Sequence, residues 1–193
     1  EVSARLTEMV SQGRSVLLEA VCGAGKTEII FEMVSDQLKR GRKVGFTIAR
    51  RQVVLEIAER LSRAFTNLSV IPVCQGHTDV TMADLVVCTT HQLFRYNDYF
   101  DVLIIDEPDA FPFKGDDTLK GIARHACHGS TVYLTATPDE QLKNRADDGE
   151  LGYLYLSKRP HGFPLCVPET FYGNRLLLLI RGVIWMIREI KQE

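Results

Sequence analysis

The stretch SVLLEAVCGAGKTEIIF, Ser15–Phe31, changes its periodicity twice within a few residues. Ser15–Ala20 is a short β-rich run. A glycine-bearing turn, Cys22-Gly23-Ala24-Gly25, follows it. From Lys26 onward Ile29, Ile30, Met33, Val34 and Leu38 recur at helical spacing until Gly41 stops them. A strand that feeds a helix through such a turn, with Lys-Thr opening the helix, is the setting of a phosphate loop. Glycines let the backbone curl so that successive N–H groups point at phosphate oxygens, and the helix N-terminus adds the positive end of its dipole. On this reading Cys22, Gly23, Ala24, Gly25, Lys26, Thr27 and Glu28 cradle ATP. Lys26 reaches the β- and γ-phosphates, and the Thr27 hydroxyl holds Mg²⁺.

The pattern extends in both directions. Upstream, Val2, Leu6, Met9 and Val10 fall at helical spacing before Gly13. Downstream, residues 43–49 read as a strand, 53–65 as a helix, and 68–74 and 84–89 as strands, with a short helix from Thr90. FDVLIID, Phe100–Asp106, is almost continuously apolar, as expected of a strand buried on both faces. A helix over 119–127 and a strand over 131–136 complete the alternation. Strands separated by helices predict an α/β fold, a three-layer RecA-like P-loop lobe with a mainly parallel central sheet. After Pro138 the regularity weakens: a polar helix over 139–148, an edge strand over 151–156, an extended loop over 161–173 and a helix over 175–191. The expected organisation is an ATP-binding lobe, residues 1–150, and a C-terminal extension, residues 151–193.

The 193 residues, 45% hydrophobic and 25% charged, suit such a domain and exclude a disordered chain. A net charge of −2 makes no whole-chain case for nucleic acid, so that case rests on local patches. The five cysteines are far apart and form no CxxC pair, which removes a zinc signature and reads as reduced, mostly packed thiols of a cytosolic protein. Leu176–Ile187 is too short to span a membrane and is interrupted by Arg181. It reads as a helix packed on protein, with membrane-surface contact as a minor alternative.

Two further motifs sit at strand ends, where α/β sheets bind ligands. Asp106-Glu107-Pro108-Asp109 ends the apolar strand, and two carboxylates there are costly without a cation. Asp106 is expected to hold the metal and Glu107 to polarise the attacking water, so that Lys26, Asp106 and Glu107 carry catalysis. Thr135-Ala136-Thr137-Pro138 is expected to couple hydrolysis to nucleic acid. From Asp36 to Arg63 eight basic residues face three acidic ones. For Arg50, after a strand, and its neighbour Arg51, phosphate-backbone contact and a solvated helix face are both open. Arg60 and Arg63 read as solvated helix face. Thr90 and His91, in Thr89-Thr90-His91-Gln92, are candidates for a second phosphate contact, compatible with Thr90 capping the short helix. Phe111, Phe113 and Tyr96 read as packing residues.

The form AxxGxGKT is typical of superfamily 2 helicases. AVCGAGKTE (20–28), CTTHQL (88–93), DVLIIDEPDAFPF (101–113), YLTATP (133–138) and HGFPL (161–165) together resemble the late-competence ComFA family. The Asp-Ala-Phe-Pro-Phe segment is the most discriminating piece. The resemblance runs from about residue 15 onward. It implies a single-stranded-DNA-stimulated, helicase-like ATPase of DNA uptake, using ATP and Mg²⁺. Its partners would be single-stranded DNA and competence DNA-uptake proteins, in the cytoplasm and peripheral at the inner face of the cell membrane. The chain departs from that family in lacking a cysteine-rich zinc module, an adenine-reading glutamine in the expected place, and a second helicase lobe. The expectation is therefore a piece of a longer protein, weakly active alone, whose second lobe follows Glu193. The alternatives are a lobe of another superfamily 2 DNA motor and a non-hydrolysing module that docks DNA or partners.

Overall fold

A computed structural model describes residues 1–21 and 25–156. The loop and helix expected over 161–191 lie outside the described residues. Seven strands form one sheet in the order β3-β4-β2-β5-β6-β1-β7: β1 Val16–Ala20, β2 Val44–Ile48, β3 Val70–Val73, β4 Leu85–Thr89, β5 Phe100–Asp106, β6 Cys127–Thr135 and β7 Gly152–Leu156. Every neighbouring pair is parallel. The fold is a RecA-like lobe, and its sheet is wholly parallel where the sequence suggested mainly so.

Alternation along each strand builds the two faces. Val16 and Leu18 of β1, Val44 and Phe46 of β2, and Val102 and Ile104 of β5 pack with Leu6 and Val10 of α1 (Val2–Ser11), Ile30, Met33 and Val34 of α2 (Lys26–Lys39), and Val54 and Leu61 of α3 (Arg51–Ala64). Val86 and Cys88 of β4, with Phe100, Leu103 and Ile105 of β5, pack on the opposite face. There they meet Leu93 of a 3-10 helix, Thr90–Arg95, and Leu119 and Ala123 of α4, Asp117–Ala126. Leu142 of α5 (Glu140–Asp147) covers Leu17 on that side. Two aspartates start helices as N-caps: Asp116 accepts from the Leu119 N–H at 3.0 Å, and Asp139 from the Leu142 N–H at 2.8 Å. Cys74, Cys88 and Cys127 are buried free thiols; Cys22 and Cys166 lie outside the described residues.

Residues 152–156 form the seventh strand, an edge strand as expected, pairing directly with β1. Two expectations are corrected. Cys127 belongs to β6 and not to the helix before it, because α4 passes straight into the strand. This early start depends on a register shift between Phe100 and Val102, where the backbones of β5 and β6 come unusually close. A Cβ on Gly129 would lie 1.9 Å from the Asp101 carbonyl oxygen, so only glycine fits. Thr90 is not a cap: Thr89 holds the N-cap position, without a side-chain bond, and Thr90 is buried.

Gly129→Ala is expected to destabilise the fold by about 2–4 kcal/mol, because backbone must move to admit the methyl group. Gly121, inside α4 with open space where a Cβ would go, is the control: Gly121→Ala should stabilise by about 0.5–1 kcal/mol. Urea unfolding of both variants checks the pair.

Candidate functional site

The parallel sheet brings the C-terminal ends of β4, β2, β5, β6 and β1 to one edge, in that order. The acidic strand β5 and the strand that leads toward α2, β1, are separated by β6 alone. Neighbouring strands lie about 4.8 Å apart, so residues following β5 and β1 can face one ligand while β6 supplies groups between them.

Gly25 precedes α2 with φ +76°, a left-handed conformation that glycine adopts without penalty. Lys26 is the first residue of α2, and Thr27 the second. Cys22, Gly23 and Ala24 lie outside the described residues. Glu28 is exposed and forms an ion pair with Arg60 of α3 at 2.9 Å, which engages its carboxylate at the surface.

Across β6, β5 delivers Asp106 half-buried. Burial pushes its carboxyl up to about 6, Glu107 and Asp109 push in the same direction, and the Lys26 ammonium opposes them. The Glu107 N–H extends the β5–β6 ladder by donating to the Leu134 carbonyl at 2.8 Å. Glu107 itself is left-handed at φ +52°, which for a residue with a Cβ costs on the order of 1–2 kcal/mol. The chain turns away there, leaving the Glu107 side chain exposed while Pro108 is buried.

Asp109 is the member of this cluster that the sequence left without a role. One of its carboxylate oxygens accepts from the buried Thr135 hydroxyl, and the other accepts from the Thr137 hydroxyl at 2.6 Å. The Thr135 oxygen also accepts from the Thr137 N–H at 3.0 Å. Ala136 lies between the two threonines with no side-chain hydrogen-bonding group. The ends of β5 and β6 are thus joined by one carboxylate. The signal in the sequence was an acid three residues after Asp106 together with two hydroxyls around Ala136, though their pairing needs the strand order.

Arg50 precedes α3 and lines a cleft of about 220 Å³ with Ile48, Ala49, Val53, Asp106 and Glu107. Arg51 donates from Nε to the Gln75 carbonyl at 2.8 Å. The Thr90 hydroxyl lies 3.4 Å from that of Thr47 in the core, while His91 is exposed. Any contact Thr90 makes with a ligand must therefore use its backbone. Arg63 pairs with Glu59 on the helix surface. Phe113 and Tyr96 are buried as expected, but Phe111 is 86% exposed, which corrects its reading as a packing residue. Among the described residues no cluster of three or more His, Cys, Asp or Glu side chains is arranged to hold a metal by itself. No helix among them is long and apolar enough to cross a membrane.

With this geometry in place, comparison with known proteins gives the family. The Type III restriction enzyme, res subunit family matches residues 1–140. The chain belongs to this family. Among its relatives is Competence protein ComFA of Bacillus subtilis (strain 168), 41% identical over 173 residues, or 88% of this chain and 37% of that protein. Competence protein ComFA of Streptococcus pneumoniae (strain ATCC BAA-255 / R6) is 35% identical over 175 residues, 89% of this chain and 40% of that protein. The chain thus spans less than half the length of these curated relatives. A hypothetical ATP-dependent RNA helicase from Sulfolobus tokodaii shares the fold, with a TM-score of 0.62 at 21% identity over 81% of this chain and 51% of that one. The chain is thus similar to the ComFA proteins over most of its length, and its fold is that of a RecA-like lobe.

Folding raises the Asp106 carboxyl above its ordinary 3.8, so the folded state holds this proton more tightly than the unfolded chain does. The group's contribution to stability is present below its unfolded value and is lost as pH rises through about 6. In metal-free buffer Asp106→Asn should therefore stabilise the chain near about pH 8, by about 1–2 kcal/mol after discounting for partial exposure. The gain should shrink toward zero near about pH 4. Denaturant midpoints of parent and variant across this range provide the check.

Proposed function

We propose that the chain is the ATP-binding lobe of a single-stranded-DNA-dependent ATPase that translocates DNA during uptake in natural competence. The observation that carries the reading is the convergence of Asp106 and Glu107 near Lys26, with Asp109 tied to Thr135 and Thr137 between them. The ComFA relatives supply the biological setting.

The residues fit a magnesium nucleotide. Asp106 is a carboxylate that its own surroundings disfavour, and a divalent cation would relieve both its burial and the neighbouring negative charge. Gly25 has the backbone freedom that a phosphate cradle needs. Mg²⁺, when bound with the nucleotide, neutralises phosphate charge; Asp106 and the Thr27 hydroxyl would hold it. Lys26 places an ammonium at the phosphates. Glu107, exposed at the mouth of the site, orients the attacking water and accepts its proton. Gly23, Ala24 and the N–H groups opening α2 hold the phosphates in place.

Asp109 makes the coupling concrete. The Thr135 and Thr137 hydroxyls bonded to Asp109 link that segment to the Asp106–Glu107 turn. Single-stranded DNA is proposed to cross the ends of β2 and β4, with Arg50 and Arg51 on phosphates and His91 and the backbone at Thr90 alongside. A second helicase lobe and competence proteins at the inner face of the membrane complete the proposed assembly. A docking role without hydrolysis gives no account of Lys26, Asp106 and Glu107 being held together.

Calorimetric titration of Mg-ADP tests the reading. Lys26→Ala should weaken binding by roughly tenfold to a hundredfold, the worth of a charge-assisted contact. Equal binding in parent and variant would remove the nucleotide from the phosphate loop. Silence that persists in a chain joined to a second lobe would sink the ATPase assignment.

A further inference from the structure

Phe111 is 86% exposed, yet the residues around it are tied down. Pro112 and Phe113 are buried. The Ala110 N–H donates to the Glu107 carbonyl at 3.0 Å, and the Lys114 N–H to the Ala110 carbonyl at 2.9 Å. Two residues earlier, Asp109 is fixed by the Thr135 and Thr137 hydroxyls. The ring is thus presented outward by an anchored turn.

Phe94 is also exposed, at 61%, but the Arg95 guanidinium lies over its ring at 5.0 Å. Among the described residues the ring pairs join Phe31 with Phe65 and Tyr96 with Tyr99 and Phe100, and Arg145 lies over Tyr133. None of these contacts involves Phe111, whose ring is open to solvent. A single exposed apolar side chain is ordinary on a protein surface. This one is distinguished by its attachment. It stands two residues from the carboxylate that joins β5 to β6, with the exposed Lys114 three residues further on.

We propose that Phe111 is a stacking platform for an unpaired nucleobase, and that a base held there is felt at Asp109 and so at the Asp106–Glu107 turn. The inference rests on the DNA-dependent reading above and adds the contact that would make the dependence specific for single strands. Bases in a duplex are already stacked on their neighbours, whereas an unpaired base has a free π-face for the ring. The exposed Lys114 would hold a phosphate while the ring holds a base, the combination that suits single-stranded nucleic acid.

The test is fluorescence anisotropy with a labelled oligothymidylate of about 20 nucleotides, using the parent chain and Phe111→Ala, Phe111→Leu and Phe111→Tyr, with thermal melting as the fold control. Phe111→Ala and Phe111→Leu are expected to bind about tenfold or more weakly, and Phe111→Tyr within about twofold of the parent, at unchanged melting temperature. Leucine serving as well as phenylalanine would show an apolar contact without stacking and overturn the proposal. Equal affinity in all four chains would show that the ring does not contact the strand and overturn it too, while the DNA-dependent reading stands on the parent's own binding. A parent that does not bind the oligonucleotide sinks that reading, and this inference with it.

Discussion

All seven strands run the same way, and the chemistry of this lobe depends on that constraint. A parallel sheet sends every strand's C-terminal end to one edge, so loops far apart in sequence emerge side by side. The order then decides who meets whom. With β6 between β5 and β1, a carboxylate after β5 and an ammonium after β1 face each other across a strand that ends in hydroxyls. The charges do not assemble the site. Asp106, Glu107 and Asp109 repel one another, and burial disfavours Asp106 further. Apolar strands, held on both faces by helices, force the carboxylates together, and Lys26 only partly compensates.

The β5–β6 seam has an irregular end and a fixed end. Where the seam begins, the register shifts and Gly129 lies against the Asp101 carbonyl. Where it finishes, the ladder continues through the Glu107 N–H, and Asp109 closes the gap to Thr135 and Thr137. Strain collects at this second end, in the left-handed Glu107. Such a residue persists only when its surroundings hold it, and here the ladder bond before it and the Asp109 clamp after it do so.

The basic stretch between Asp36 and Arg63 shows why a charge count is a weak guide to binding. Arg40 pairs with Asp36, Lys43 with Asp84, Arg60 with Glu28 and Arg63 with Glu59. Lys43 and the hydroxyl and N–H of Ser69 hold the Asp84 carboxyl down at about 2, marking a structural pair at the opposite edge of the sheet. Arg42 donates to the buried Gln37 side chain, and Arg51 to a backbone carbonyl. Of these cations Arg50 is the one that lines the cleft beside Asp106 and Glu107.

Element type and order were legible in the sequence because the signals are local. The switch from strand to helical spacing around Lys26 and the unbroken apolar run of β5 are each read within a few residues. The same locality made the Gly25–Lys26 turn and the Asp106–Glu107 pair stand out as candidates. Tertiary structure alone decided the rest, since each feature depends on what a distant segment brings alongside. The seventh strand joined the lobe because β1 had an open side. Thr90 went into the core because β2 set Thr47 beside it. Asp109 acquired its role from β6 lying next to β5. Phe111, flanked by a buried proline and a buried phenylalanine, was left outside because the turn that buries its neighbours points it away from them. Sequence periodicity tells which residues can share a face, but which faces meet is settled only when the strands take their order in the sheet.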